Sequence, residues 1–274
     1  MGAGLDSGGN RGDITSDRFR LPVSGWYVTV QSPTGLEDLL LRESRASDFA
    51  LALELFGRLV HVEGGSSASF GQLPATDGEA LLLLLRRAAL GDLVRAEARC
   101  TATQCTARVD VDFRIGEYLA AQKIGKPKIL QESEKQGWFS VADQSAQFRL
   151  PTCADLVAID VESVPYSALI RRCIEPTGIS GRLRKRVEDA MAVMAPRFSR
   201  SLTGRCPECN QAFDFYFDVH SFVLRELRNH AASVYLDVHL LALHYKWPER
   251  LILEMPRNRR TQYVEMLRDM GVAA

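Results

Sequence analysis

The sequence carries no net charge, since 34 Lys and Arg balance 34 Asp and Glu over 274 residues. A protein that coats nucleic acid ordinarily shows a basic excess, because phosphate neutralisation dominates its affinity; that role is disfavoured for the chain as a whole. A long apolar run is also missing. The longest, residues 80–85 with five consecutive leucines, falls far short of the roughly 20 residues that span a bilayer, so no membrane insertion is expected. Residues 1–17 are rich in Gly, Ser and Asp without an apolar stretch; they read as a disordered tail and not as a secretory signal. The Arg11-Gly12-Asp13 tripeptide inside it has no receptor to meet in the cytoplasm, where the chain is expected to reside, and is read as chance.

Catalytic signatures are absent as well. There is no H-E-x-x-H, no G-x-S-x-G, no phosphate-binding loop and no dinucleotide fingerprint. His230, His239 and His244 lie close together in sequence, but a spacing of five puts His239 and His244 on different helix faces, as satisfied or surface residues. No catalytic residue, no enzymatic activity and no small-molecule substrate is therefore assigned.

What is present is a set of six cysteines without a secretory signal, which points to thiols or metal ligands before disulfides. Four of them form two close pairs. Cys100 and Cys105 stand as C-x4-C after an alternating stretch at 93–99, and a second alternating stretch follows at 108–115. Cys206 and Cys209 stand as C-x2-C in a similar setting. Two hairpin tips of this kind supply four thiolates, the donor set of a closed, structural zinc site. Iron is an alternative for four sulfurs, and unligated thiols or a redox pair are others. Cys153 and Cys173 fall in apolar helical stretches with no partner at ligand spacing and are expected to be buried free thiols.

The surroundings of the two pairs also repeat. Phe148-Arg149-Leu150-Pro151 restates Phe19-Arg20-Leu21-Pro22, and Val109, Asp110, Val111, Phe113, Ile115 and Tyr118 align without a gap to Phe213, Asp214, Phe215, Phe217, Val219 and Phe222. The expected fold is α+β: two pseudo-repeated halves, each with a cysteine-tipped β-hairpin, joined at a zinc-ribbon-like site, plus a C-terminal helical segment. The corresponding boundaries are 18–119 for the first half, 120–147 for a connector, 148–221 for the second half and 222–274 for the helical segment. Thr34 and Glu37 predict a capping box, and helices are expected at 48–59, 77–90, 153–161, 166–174 and 181–194. A single long helix is expected over 222–245, and Pro248 and Pro256 each suit the first turn of a further short one.

Two basic clusters stand out. Arg182, Arg184, Lys185 and Arg186 precede an apolar stripe of Leu183, Val187, Met191 and Met194 and read as a solvated helix face. Arg257, Arg259 and Arg260 open the last helix, where basic residues oppose the helix dipole; a contact with a partner protein is the expectation for them.

The FRLP motifs, "PTGLEDLLL", "ARVDVDFRIGEYL", "FRLPTCADL", "CPEC" and above all the tail "FVLRELRNHAASVYLDVHLLALHYKWPERLILEMPRNRRTQYVEML" together resemble the baseplate hub protein family of contractile (T-even-type) phage tails. The resemblance extends to relatives in bacterial contractile injection systems. It covers about residues 19–268, and the Gly-rich N-terminus departs from the family pattern. It implies a baseplate or hub component, or an assembly chaperone, that acts through contacts with baseplate or hub subunits and is cytoplasmic or incorporated into a tail-like particle. A zinc-ribbon nucleic-acid-binding protein is the competing reading; Asp110, Asp112, Asp214 and Asp218 on its strands would repel phosphates. A metal-dependent hydrolase would need an open coordination position that four thiolates do not leave.

Overall fold

A computed structural model describes residues 18–64, 69–127, 130–141 and 146–271; the tail expected at 1–17 lies outside them. β1 (Phe19–Arg20) pairs antiparallel with β2 (Tyr27–Val30). Next come α1 (Gly35–Glu43), α2 (Asp48–Leu59) and β3 (Val60–Val62), which returns to pair with β2. α1 begins on the capping box that Thr34 and Glu37 predict: the Thr34 hydroxyl accepts from the Leu36 N–H, and the Glu37 carboxylate accepts from the Thr34 N–H at 2.9 Å. After a 3₁₀ turn at Phe70–Gln72, α3 (Ala75–Leu90) carries the leucine run. Leu81 to Leu85 are each at most 4% exposed, so consecutive residues are buried on every side of the helix and it can only be a central one. Gly91, at φ +87°, ends it.

β4 (Leu93–Arg99) and β5 (Arg108–Arg114) form a two-stranded antiparallel ribbon, followed by α4 (Ile115–Ala120). The segment 120–147, expected to be a connector, instead contributes β6 (Leu130–Glu132) and β7 (Phe139–Val141). With β8 (Gln147–Phe148) and β9 (Ile174–Glu175) these form an antiparallel sheet in the order β6-β7-β8-β9. Strands of two or three residues are too short to show a period of two in sequence, which is why they escape notice there. Between β8 and β9 lie α5 (Cys153–Ile159) and α6 (Pro165–Cys173), and after β9 comes α7 (Gly181–Met194). α7 buries Val187 and Ala190 in the small core against this sheet and leaves Arg182, Arg184, Lys185 and Arg186 exposed, as its apolar stripe predicts.

A second ribbon follows, β10 (Arg200–Arg205) with β11 (Ala212–Phe217). The C-terminal helices are α8 (Val219–His230), α9 (Val234–Tyr245), α10 (Glu249–Leu253) and α11 (Arg257–Asp269). The helix expected over 222–245 is thus two helices, separated by a 3₁₀ turn at Ala231–Ser233. The break has a packing cause. α8 sends Val223, Leu224 and Leu227 into the main core, whereas α9 sends Leu241 into a separate core with Ile252, Val264 and Leu267, and the turn redirects the chain from one core to the other. Pro248 and Pro256 sit at the N-terminal caps of α10 and α11. The main core itself gathers Leu21, Phe56 and the α3 leucines together with Phe198, Phe217 and Leu227, so both parts of the sequence share it.

Candidate metal centre

The two ribbons end in cysteine turns that are built alike. In each, the N–H of the first cysteine donates at 2.9 Å to the carbonyl two residues beyond the second: Cys100 to Ala107, and Cys206 to Gln211. The residue right after the second cysteine is left-handed in each, Thr106 at φ +33° and Asn210 at φ +58°. Asn takes that conformation readily and Thr does not, so the C-x4-C turn is the more strained of the two. A residue preceding each ribbon also holds the helix that follows it. Asp92 Oδ1 accepts from the Gly116 N–H of α4 at 2.9 Å, and Ser199 Oγ accepts from the Val219 N–H of α8 at 3.0 Å.

Face-to-face packing of the ribbons brings the four sulfurs together. Cys100 Sγ lies 3.7 Å from Cys209 Sγ, Cys105 Sγ lies 3.7 Å from Cys206 Sγ, and all four fall within 4.8 Å of one another. A regular tetrahedron of thiolates at about 2.3 Å from a central ion has edges of about 3.8 Å, so the cross-ribbon separations fit a four-sulfur metal site. They are far too long for disulfides, and all six cysteines are free. Cys100 and Cys206 are buried in a small apolar cap with Val109 and Phe213. Gly204 makes room for that cap: a Cβ there would stand 2.9 Å from the Phe213 ring across the strand pair.

The local electrostatics favour the thiolate at Cys206. Backbone N–H groups of Cys209 and, behind it, Glu208 pull the Cys206 thiol down to about 7, toward the thiolate that a metal binds. Cys105 feels the Ala107 N–H pulling down, but the Cys209 sulfur and burial push it up to about 12; a second thiolate beside the first is costly until a cation arrives. Cys153 and Cys173 lie apart from the cluster, buried as expected, and burial pushes them up to about 12 and about 11.

The arginines expected to meet a partner are placed quite differently. Arg260 is fully buried: its Nε donates to Asp237 Oδ2 at 3.0 Å and its Nη2 pairs with Asp38 of α1. Arg257, largely buried, also pairs with Asp38, its Nε at 2.9 Å from Oδ1. These two are therefore internal ties between α11, α9 and α1 and not a contact surface; only Arg259 is exposed. The ion pairs also remove the dipole conflict noted above, since Asp38 and Asp237 supply the countercharge at the start of α11. The sequence held a faint signal for one of them: Asp237 sits among Val234, Leu236, Val238 and Leu240. Among the described residues no helix is long and apolar enough to cross a membrane. In comparisons with protein-family models, curated proteins and solved structures, the chain matches none.

Proposed function

We propose that this protein is a zinc-stapled, non-enzymatic scaffold that serves a contractile tail-like machine as a baseplate or hub component or as its assembly chaperone. The observation that carries the scaffold reading is the cluster of four sulfurs, two from each of two ribbons about a hundred residues apart. Bound there, zinc would fill its shell with Cys100, Cys105, Cys206 and Cys209 and lock the ribbons together, with no position left for water. The matching cysteine turns, each with a left-handed residue after its second cysteine, support an ancestral duplication of the ribbon-and-helix unit. The assignment to a tail-like machine rests on the resemblance of the sequence, above all over 222–268.

Metal analysis of the purified full-length protein tests the first part. One equivalent of zinc is expected; iron, with its visible thiolate absorption, or no metal would overturn it. Sedimentation of tail-like particles from the native cells tests the second. A fixed ratio to baseplate subunits makes the protein a component. A soluble pool, with particles failing to form in its absence, makes it a chaperone. Normal particles that neither contain nor require it end the reading.

A further inference from the structure

The two ribbons pack through their inner faces but do not close at either side. One lateral groove, of about 440 Å³, runs between the outer edge of β4 and the outer edge of β11, under the start of α8. The other, of about 450 Å³, runs between the outer edges of β5 and β10, beside α4. If β4 is matched to β10 and β5 to β11, each groove is the counterpart of the other. Phe222 stands in the first where Tyr118 stands in the second, and an arginine lies over each ring, Arg225 over Phe222 and Arg200 over Tyr118.

Both grooves are walled by open main chain. In an antiparallel pair, alternate residues turn their N–H and C=O groups toward the partner and the rest turn them outward. The Cys100 N–H bond to Ala107 fixes that phase for the first ribbon, and the Cys206 N–H bond to Gln211 fixes it for the second. Arg95 and Glu97 on β4 and Tyr216 on β11 therefore aim their main-chain groups into the first groove. Asp110 and Asp112 on β5 and Thr203 on β10 aim theirs into the second. Among the described residues none of these six N–H groups has a protein acceptor. A two-stranded ribbon with both edges free readily accepts another strand.

Charge selects the kind of occupant. The first groove is lined by Arg95 and Arg225 against Glu97, Asp218 and Glu226, and the second by Arg200 and Arg205 against Asp110 and Asp112. With Glu226 paired to Arg86 at 2.9 Å, cations and carboxylates balance in both, so neither groove has the basic excess that a phosphate backbone needs, and a neutral polypeptide suits them. We infer that each groove docks an extended segment of a partner protein, which adds as a strand to an open edge and sets its side chains on the aromatic floor. This rests on the scaffold reading and names the site and the chemistry of its contact.

The test uses full-length, metal-loaded protein and a library of random linear peptides. Peptides that bind should slow hydrogen exchange at the amides of Arg95, Glu97 and Tyr216, or of Asp110, Asp112 and Thr203. Glu97→Pro and Asp112→Pro remove one outward N–H each without touching the ladder inside the ribbon. Each should weaken peptides of its own groove at least tenfold, whereas Glu97→Ala should not. Zinc content and melting temperature report whether the proline variants remain folded; the exchange pattern of the unmodified protein decides the matter if they do not. Failure to select any binder, protection elsewhere such as on α9 or α11, or full binding by folded Glu97→Pro protein would each overturn the inference. None of these outcomes bears on whether the protein sediments with tail-like particles.

Discussion

Two staples hold sequence-distant parts of this molecule together, and they work by opposite means. The four-sulfur cluster joins the tips of two ribbons, where the core is only Val109 and Phe213 with a few alanines, while Val94 and Phe217 at their bases belong to the main core. The Asp38–Arg260–Asp237 network joins α11 and α9 to α1, beside a core that already contains Leu241, Ile252, Val264 and Leu267. In the first a bound metal would supply the binding energy; in the second, burial does most of the work and the charges fix how the helices meet. A buried ion pair seldom adds much net stability, but breaking one leaves an unpaired charge in the interior. The two staples should therefore fail differently.

Cys206→Ser should have the largest effect. Structural zinc sites contribute about 10–16 kcal/mol in small zinc peptides, and the ribbon tips, with so small a core, have little else to offset the loss. Insoluble or protease-sensitive protein is expected, with early cleavage in the two ribbons on limited proteolysis; soluble, resistant protein at full melting temperature would remove the contrast. Arg260→Met should cost about 3–5 kcal/mol by denaturant titration, since Asp237 is left buried without its partner. The double variant Arg260→Met with Asp237→Leu should recover much of that, a rescue that no second substitution at Cys209 could give to Cys206→Ser.

Gly35→Ala probes how closely the second staple is fitted. Its Cβ would stand 2.7 Å from Arg260 Nη1 and 2.8 Å from the Leu253 Cα, and backbone cannot move aside as a side-chain tip can. A loss of about 1–3 kcal/mol is expected, with the metal content unchanged. Acid should have the smallest effect. Burial holds His220 below its ordinary range, so the folded protein resists the proton that the unfolded chain accepts. Stability is then fully present above about pH 6.5 and declines below it, by at most about 1.4 kcal/mol per pH unit from this group, until the folded form also titrates. Asp155, held down by Arg149, Thr152 and Arg172 against its burial, adds a further loss only below the ordinary carboxylate range. A His220→Leu variant should flatten the first decline and leave the second in place.

The two staples also differ in how much of them could be read in advance. Cysteines at C-x4-C and C-x2-C, each between alternating stretches, announce that four sulfurs can meet as candidate ligands, because a metal site needs particular atoms at short spacing. The capping box at Thr34 and the burial of the leucine run in α3 are legible for the same reason: each depends on residues within one or two helical turns. Asp38, Asp237 and Arg260 span 222 residues, and nothing local distinguishes a buried arginine from a surface one. From sequence alone Arg257 and Arg260 therefore read as a surface, and the short strands β6 and β7 as a connector.

The sequence by itself determined most of the longer helices, the Thr34 cap, the burial of α3 and the four candidate ligands, because hydrophobic period, helix capping and ligand spacing act over a few residues. Only the tertiary structure decided that the helix near Ala231 breaks, that three charges at the start of α11 divide into two buried and one exposed, and that the ribbons leave two grooves open. Those outcomes depend on which surfaces meet across a hundred residues or more, and packing at that range is settled by the whole chain at once.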